Sequence, residues 1–499
     1  MSPPRENDRL LRGASAPHAW DATPLRGATR QALLDLSAIA AVAAMRDGEL
    51  KAEHYAAALL EQADRIKSLN AFRTLQPERV MEAAREADKR RAAGKSLGAL
   101  HGLPVPVKDS VDTQALPTSY GTGALGDFRP GDDAAALKPL WAEGAILMGK
   151  TNLHELSCGW TSNNVAFGPV LNPYDPTRTP GGSSGGSAAV VAAHAAPLAI
   201  GGDTYGSIRL PASFCGLAGL RPTFGRYPNA GIMPISLDKF DQVGPLARTV
   251  SDLALFDSVV TGLHDRVQAA PLSGVRIAVD GEPLSGSMDP EVSRIIEEAI
   301  RKLGDAGAEI VRMPLPPLAR QASDVVIGIL IFEVVRSFTD YLKHDHIGVS
   351  FDQLVDQASP SVAGLLNAGR NAGSPAAYQE LLLKLGEIKA AILAFYRDNQ
   401  IDAIALTPAA IAAFPQGDPE AVLLNGKPVS LFTAIGCNVA PGSCAGLSCL
   451  VVPAGMTAIG LPVGLELDGP PGSDRRLLAL GLSVEEVLGP LPPARIGRS

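Results

Sequence analysis

Residues 181–209 read GGSSGGSAAVVAAHAAPLAIGGDTYGSIR, and this stretch constrains the chain more tightly than any other. Two Gly/Ser clusters enclose a run made almost wholly of Ala and Val. A flexible Gly/Ser linker would not be interrupted in this way. The run predicts a buried helix of small side chains, against which other backbone packs closely. Glycine lacks the Cβ that would block tight turns or close approach to a substrate. Ser183 and Ser184 at the start and Ser207 at the finish therefore sit on turns at the two ends of a rigid mount. Reactive hydroxyls need such a mount.

Around this stretch the chain alternates short apolar strands with helices, which indicates an α/β class. Residues 35–95 carry helical apolar spacing. Leu103–Lys108, Ala145–Met148 and Pro197–Ile200 read as strands, and Ala134–Glu143 as a helix. Gly274–Asp280 and Glu309–Arg312 read as strands around a helix at Pro290–Ala306, with long helices following to about 397. Ala403–Thr407 and Leu447–Pro453 complete the expected core strands. Residues 1–30, rich in Pro, Arg and Ser, read as an N-terminal arm extended over the surface.

Composition excludes several classes. A net charge of −8 argues against a nucleic-acid-binding surface. Five cysteines, an odd number without ligand-like spacing, read as reduced thiols rather than a disulfide framework. The N-terminus lacks the apolar core of a signal peptide. The apolar runs Leu33–Met45 and Val325–Val335 are too short to span a bilayer. The expectation is a cytoplasmic protein without a membrane or nucleic-acid partner.

The motifs together resemble the amidase signature family. They comprise Gly181-Gly182-Ser183-Ser184-Gly185-Gly186, Asp203-Thr204-Tyr205-Gly206-Ser207-Ile208-Arg209 and, upstream, His101 through Lys108-Asp109. Gly149 through Glu155, Gly168 and Asn172-Pro173 also fit. Within the family, Asn438–Leu467 looks closest to the bacterial indoleacetamide and mandelamide hydrolases. The resemblance implies one domain over residues 31–490, a central mixed β-sheet covered by helices on both sides. Its signature core would span about 75–270, a variable substrate-shaping region about 274–400 and a C-terminal core segment about 401–490.

The resemblance assigns Ser207 as nucleophile, Ser183 as the bridging serine after a cis peptide, and Lys108 as base. This chemistry is coherent. A lysine accepts a proton only when neutral, and burial lowers its pKa. The apolar neighbours Leu103–Val107 supply a strand that can bury it. Backbone N–H groups of Thr204, Tyr205, Gly206 and Ser207 would hold the oxyanion. Ser157, Ser183 and Tyr205 would contact substrate, and Phe332, Phe338 and Tyr341 are candidates for a pocket wall. No metal or cofactor is implied. The chain departs from the family at Tyr205, where a glycine is usual. If that position takes positive φ, tyrosine is strained there. Asp203 and Arg209 read as an ion pair pinning the loop. Ser184, Ser187 and Thr204 read as loop supports.

Competing motifs fail. Gly181 through Gly185 satisfies G-x-S-x-G, but that elbow must follow a strand, and the Pro-rich Asn172–Pro180 cannot be a central one. Ser236-Leu237-Asp238-Lys239 matches S-x-x-K without the accompanying motifs. His154-Glu155 lacks a second histidine four residues on. The expected activity is hydrolysis of the C–N bond in small aryl or arylalkyl carboxylic amides, with esters and carbamates open to the same mechanism. The alternatives are an inactive binding scaffold and a glutamine-hydrolysing amidotransferase subunit. A homodimer is left open.

Overall fold

The structure, a computed structural model, describes residues 29–344 and 347–495. The expected N-terminal arm lies outside the described residues except at its end, where Thr29 caps a short helix, Arg30–Leu34.

Eleven strands form one mixed sheet. In chain order they are β1 (Phe72–Leu75), β2 (Pro104–Lys108), β3 (Ile146–Thr151), β4 (Leu198–Asp203), β5 (Ala218–Arg221), β6 (Gln242–Ala247), β7 (Arg276–Val279), β8 (Glu309–Arg312) and β9 (Ala403–Leu406). A separate hairpin, β10 (Ala421–Leu424) and β11 (Lys427–Ser430), precedes the last two sheet strands, β12 (Ser448–Met456) and β13 (Pro462–Gly469). The spatial order is β1-β3-β2-β4-β6-β5-β12-β13-β9-β7-β8. Parallel pairs, β3-β2-β4 and β9-β7-β8, flank an antiparallel centre. The mixed sheet thus agrees with the expectation. Three strands run past their expected ends: β3 continues to Thr151, β4 to Asp203, and β12 to Met456.

Successive residues of a strand point to opposite faces, and here they enter different cores. Ile277, Val279, Ala403, Ala405, Leu450 and Val452 join the helices Ala38–Asp47, Val250–Thr261, Pro290–Asp305 and Asp474–Leu488. Ala278, Ile404 and Cys449 join the helices Ala322–His344, Pro375–Asp398 and Cys437–Ala445 on the other face. Among the described residues no helix is long and apolar enough to cross a membrane.

The small-residue helix, Gly185–Ala192, is buried along its whole length. A helix that is apolar all round belongs in a core. Its Ala188, Val191 and Ala192 pack on Ile208, Ala212, Leu246 and Val451. The parallel neighbours β2 and β4 end on the same side of the sheet, at Lys108 and Asp203. Ligands of α/β sheets bind outside such carboxyl ends.

Close packing of this helix is testable. A Cβ on Gly186 would lie 2.1 Å from the carbonyl oxygen of Asn152 and 2.6 Å from that of Ala71. Neither contact can be relieved by turning a side chain. Gly186→Ala should therefore destabilise the protein by about 3 kcal/mol, the upper part of the overpacking range. A denaturant midpoint equal to wild type would contradict this contact.

Candidate active site

Lys108 ends β2, a strand whose five residues are all buried. Its Nζ lies 2.6 Å from Ser183 Oγ. Burial pushes the ammonium down to about 7, and the carboxylates of Asp203 and Asp241 limit the fall. The two phases of the contact have opposite polarity. The ammonium donates to Ser183, and a neutral amine accepts from it.

Ser183 follows the cis peptide Gly182–Ser183. Its carbonyl accepts from the His154 amide at 3.1 Å. Ser162 Oγ holds the preceding carbonyl of Gly181 at 2.8 Å. The Ser184 amide donates to the Ser207 carbonyl at 3.2 Å, which brings the two ends of the 181–209 stretch side by side. No hydrogen bond joins the Ser183 and Ser207 hydroxyls directly among the described residues. Ser184 and Ser187 brace β4 as expected, through the carbonyls of Gly202 (3.0 Å) and Ile200 (2.9 Å).

The loop 204–207 is built peptide by peptide. In a trans peptide the N–H points opposite to the carbonyl. The Thr204 carbonyl is engaged by Arg221 Nη1 at 3.4 Å, so the Tyr205 N–H faces away from that guanidinium. The Tyr205 carbonyl accepts from Trp160 Nε1 at 2.7 Å, and the Gly206 N–H of the same peptide donates to Asp203 Oδ1 at 2.8 Å. The Gly206 carbonyl accepts from the Leu210 amide at 2.8 Å, which turns the Ser207 N–H outward. The Gly206 amide, expected to face an oxyanion, is engaged by the carboxylate of Asp203. The amides of Thr204, Tyr205 and Ser207 have no acceptor among the described residues.

Asp203 organises this loop. Its carboxylate receives Arg209 Nε at 3.1 Å and Arg221 Nη1 at 3.0 Å, plus the amides of Gly206 and Ile208. Burial alone would raise its pKa, but the two guanidiniums outweigh that and hold the carboxyl well below the usual range. Arg209 reaches on to Glu466 Oε1 at 2.9 Å. Cys449, Glu466 and Asp468 bring three potential ligand atoms within 4.8 Å of one another, but Arg209 already supplies the cation there.

Tyr205 does not take positive φ; the turn is made by Gly206 at +91°, so the expected strain is absent. Its ring is buried, in edge contact with Trp160 (centroids 5.3 Å apart) and near Phe432 (6.1 Å). Its hydroxyl bonds Ser323 Oγ at 2.7 Å. Ser157 lines a small cavity together with Lys108, Thr204 and Asp241, and its buried Oγ has no hydrogen-bond partner among the described residues. The pocket candidates of the long helix have other occupations. Phe338 is core, Phe332 stacks on Tyr378, and the Tyr341 hydroxyl reaches Asp112 and Tyr120.

Sequence reasoning missed Arg221, Trp160, Asp241 and Glu466. Nothing in their local sequence marks them, since each meets the site through a distant chain segment. As a chemical device, the site offers a buried amine–hydroxyl pair, a second serine on the adjoining segment, and unengaged amides around it.

The sequence profile described as Amidase matches residues 55–478. An indoleacetamide hydrolase of Agrobacterium vitis is 36% identical over 438 residues, covering 86% of this chain and 92% of that protein. A glutamyl-tRNA(Gln) amidotransferase subunit from Chloroflexus aurantiacus is 35% identical over 474 residues, covering 89% and 95%. The crystal structure of a peptide amidase from Stenotrophomonas maltophilia superposes with a TM-score of 0.81 at 27% identity, covering 93% of this chain and 99% of that one.

The ion cluster predicts its own fragility. Asp203→Asn leaves two buried guanidiniums short of their shared anion. Breaking a buried pair from one side costs about 3–5 kcal/mol. Equilibrium unfolding of purified Asp203→Asn should show a loss of that order, and a loss below about 1 kcal/mol would contradict the clamp.

Proposed function

Because the chain belongs to the amidase family, whose members hydrolyse amides, we propose that Ser207, Ser183 and Lys108 carry out that hydrolysis through an acyl-enzyme. The observation that carries this reading is the fully buried 2.6 Å contact between Lys108 Nζ and Ser183 Oγ, with Ser207 on the adjoining segment.

An amide needs an activated nucleophile and a way to protonate the departing nitrogen. Ser207 Oγ attacks the carbonyl carbon as its proton passes to Ser183, whose own proton passes to neutral Lys108. The carbonyl oxygen becomes an anion facing the amides of Tyr205 and Ser207, with Thr204 beside them. The C–N bond then breaks, and the relay runs backward to protonate the leaving amine. Water repeats the attack on the acyl-enzyme, frees the carboxylic acid and restores Ser207. Esters and carbamates present the same carbonyl and leaving-group problem.

For the acyl group we favour aryl or arylalkyl carboxylic amides. The support is the aromatic cluster that Tyr205, two residues before Ser207, forms with Trp160 and Phe432, together with the likeness to an indoleacetamide hydrolase. The likeness to an amidotransferase component makes glutamine the second reading. The organised Lys108–Ser183 contact speaks against an inactive scaffold, which would have no use for a buried lysine beside a serine.

Two outcomes test the reading. Arylacetamides should be hydrolysed with kcat/KM at least ~100-fold above glutamine, and Ser207→Ala should lose at least ~1000-fold while remaining folded. Preference for glutamine would favour the second reading, and an active Ser207→Ala would remove the nucleophile.

The pH profile follows from Lys108. Its neutral form is the base, and burial brings its pKa to about 7. The rate should therefore rise with pH through an acid limb centred near 7 and level off above it. Rates measured across the neutral range check this, and a profile falling with pH there would contradict it.

A further inference from the structure

The mechanism leaves Asp241 unused, although its carboxylate is buried beside the reacting groups. Asp241 Oδ1 accepts from Thr204 Oγ1 at 2.6 Å. Its Oδ2 accepts from the amides of Ile235 and Ser236, both at 2.8 Å. Both oxygens are thus committed to segments that wall the cavity beside Lys108. That cavity is lined by Lys108, Ser157, Thr204, Ile232, Met233 and Asp241, among others. Its volume of about 20 Å³ is that of a single water.

The loop behind Asp241 is fastened in turn. Ser236 Oγ donates to Glu333 Oε2, and Lys239 Nζ lies 2.6 Å from Glu333 Oε1. The Tyr378 hydroxyl also donates to Glu333. The Ser236-Leu237-Asp238-Lys239 spacing, discarded as a nucleophile motif, is thus a two-pronged grip on one buried carboxylate of the long helix Ala322–His344.

We infer that Asp241 is a positioning residue for amide hydrolysis: it fixes Thr204 at the head of the oxyanion loop and turns a carboxylate toward the cavity it shares with Lys108. The inference rests on the proposed roles of Lys108 and of the 204–207 loop. Its electrostatic consequence has a definite sign. An anion near an ammonium favours the charged form, so removing the Asp241 charge makes Lys108 neutral at lower pH. The other groups facing Lys108 are Asp203 on β4 and, after β3, Cys158 and His154. Arg221 on β5 faces Asp241. Burial raises Asp241 itself to about 6, so it is ionised where the lysine titrates.

The experiment measures kcat and KM from about pH 5 to about pH 9 on one aryl amide for wild type, Asp241→Asn and Thr204→Val. Asp241→Asn should move the acid limb down by about half a unit or more and lower the plateau kcat about 10-fold, with KM changed less than about threefold. Thr204→Val severs the tie but keeps the charge. It should lower kcat about 5-fold and leave the limb in place. Asp241→Glu should restore the limb. An Asp241→Asn limb unmoved from wild type overturns the inference. Should Asp241→Asn fail to fold, a Thr204→Val with wild-type kcat overturns it equally. A wild-type profile without any acid limb would instead remove the Lys108 reading on which the inference stands.

Discussion

One buried carboxylate, Asp203, holds the active-site region in shape. It ends β4, receives two guanidiniums, and accepts amides from the turn that follows it. The loop from Thr204 to Ser207 belongs to no strand or helix, so its peptides are oriented by this carboxylate together with Arg221, Trp160 and the Ser184 and Leu210 amides. With the carboxylate in place, the turn closes at Gly206 and the Arg209–Phe214 helix starts immediately after it. The cost of burying Arg209 and Arg221 must be offset by pairing. That is why Glu466 and the carbonyls of Val439 and Asp203 are drawn into the same cluster.

A second balance is struck at Lys108. Burial pushes its proton off, and the surrounding carboxylates pull it back. Asp203 exerts the larger pull of the two nearby carboxylates, Asp203 and Asp241, although its charge is shared with two arginines. The outcome is an amine poised near neutrality, the condition under which proton transfer in either direction is least uphill. The serines need no comparable tuning, since a hydroxyl exchanges protons through whichever partner is bonded to it.

The local parts of this design were legible in the sequence. The glycine–serine clusters, the buried helix between them, the strand leading to Lys108 and the Asp203–Arg209 pair all lie within a few residues of their motifs. The parts that were not legible are long-range. Arg209 meets Glu466 from 257 residues away, and Trp160 reaches the Tyr205 carbonyl across 45. Strand β6, QVGPLA, was also hidden, because a proline in a central strand argues against it. Pro245 sits opposite Ile200 there all the same. Tyr205 shows the same limit from the other side. Its identity raised a question of strain that only the backbone, with the turn displaced to Gly206, could answer.

The order of strands has a consequence for how the molecule comes into being. The antiparallel pair β12-β13 comes from the last tenth or so of the sequence but lies between β5 and β9. Such contacts, joining distant segments, are slow to form and are closed late. On the ribosome, the first 440 or so residues would be exposed with the sheet split into two halves. Glu466, on β13, emerges only after that interval, and with it the last partner of Arg209. Maturation of the reactive loop is therefore tied to the arrival of β13, and a chain interrupted before it carries its serine motifs on an unfinished scaffold.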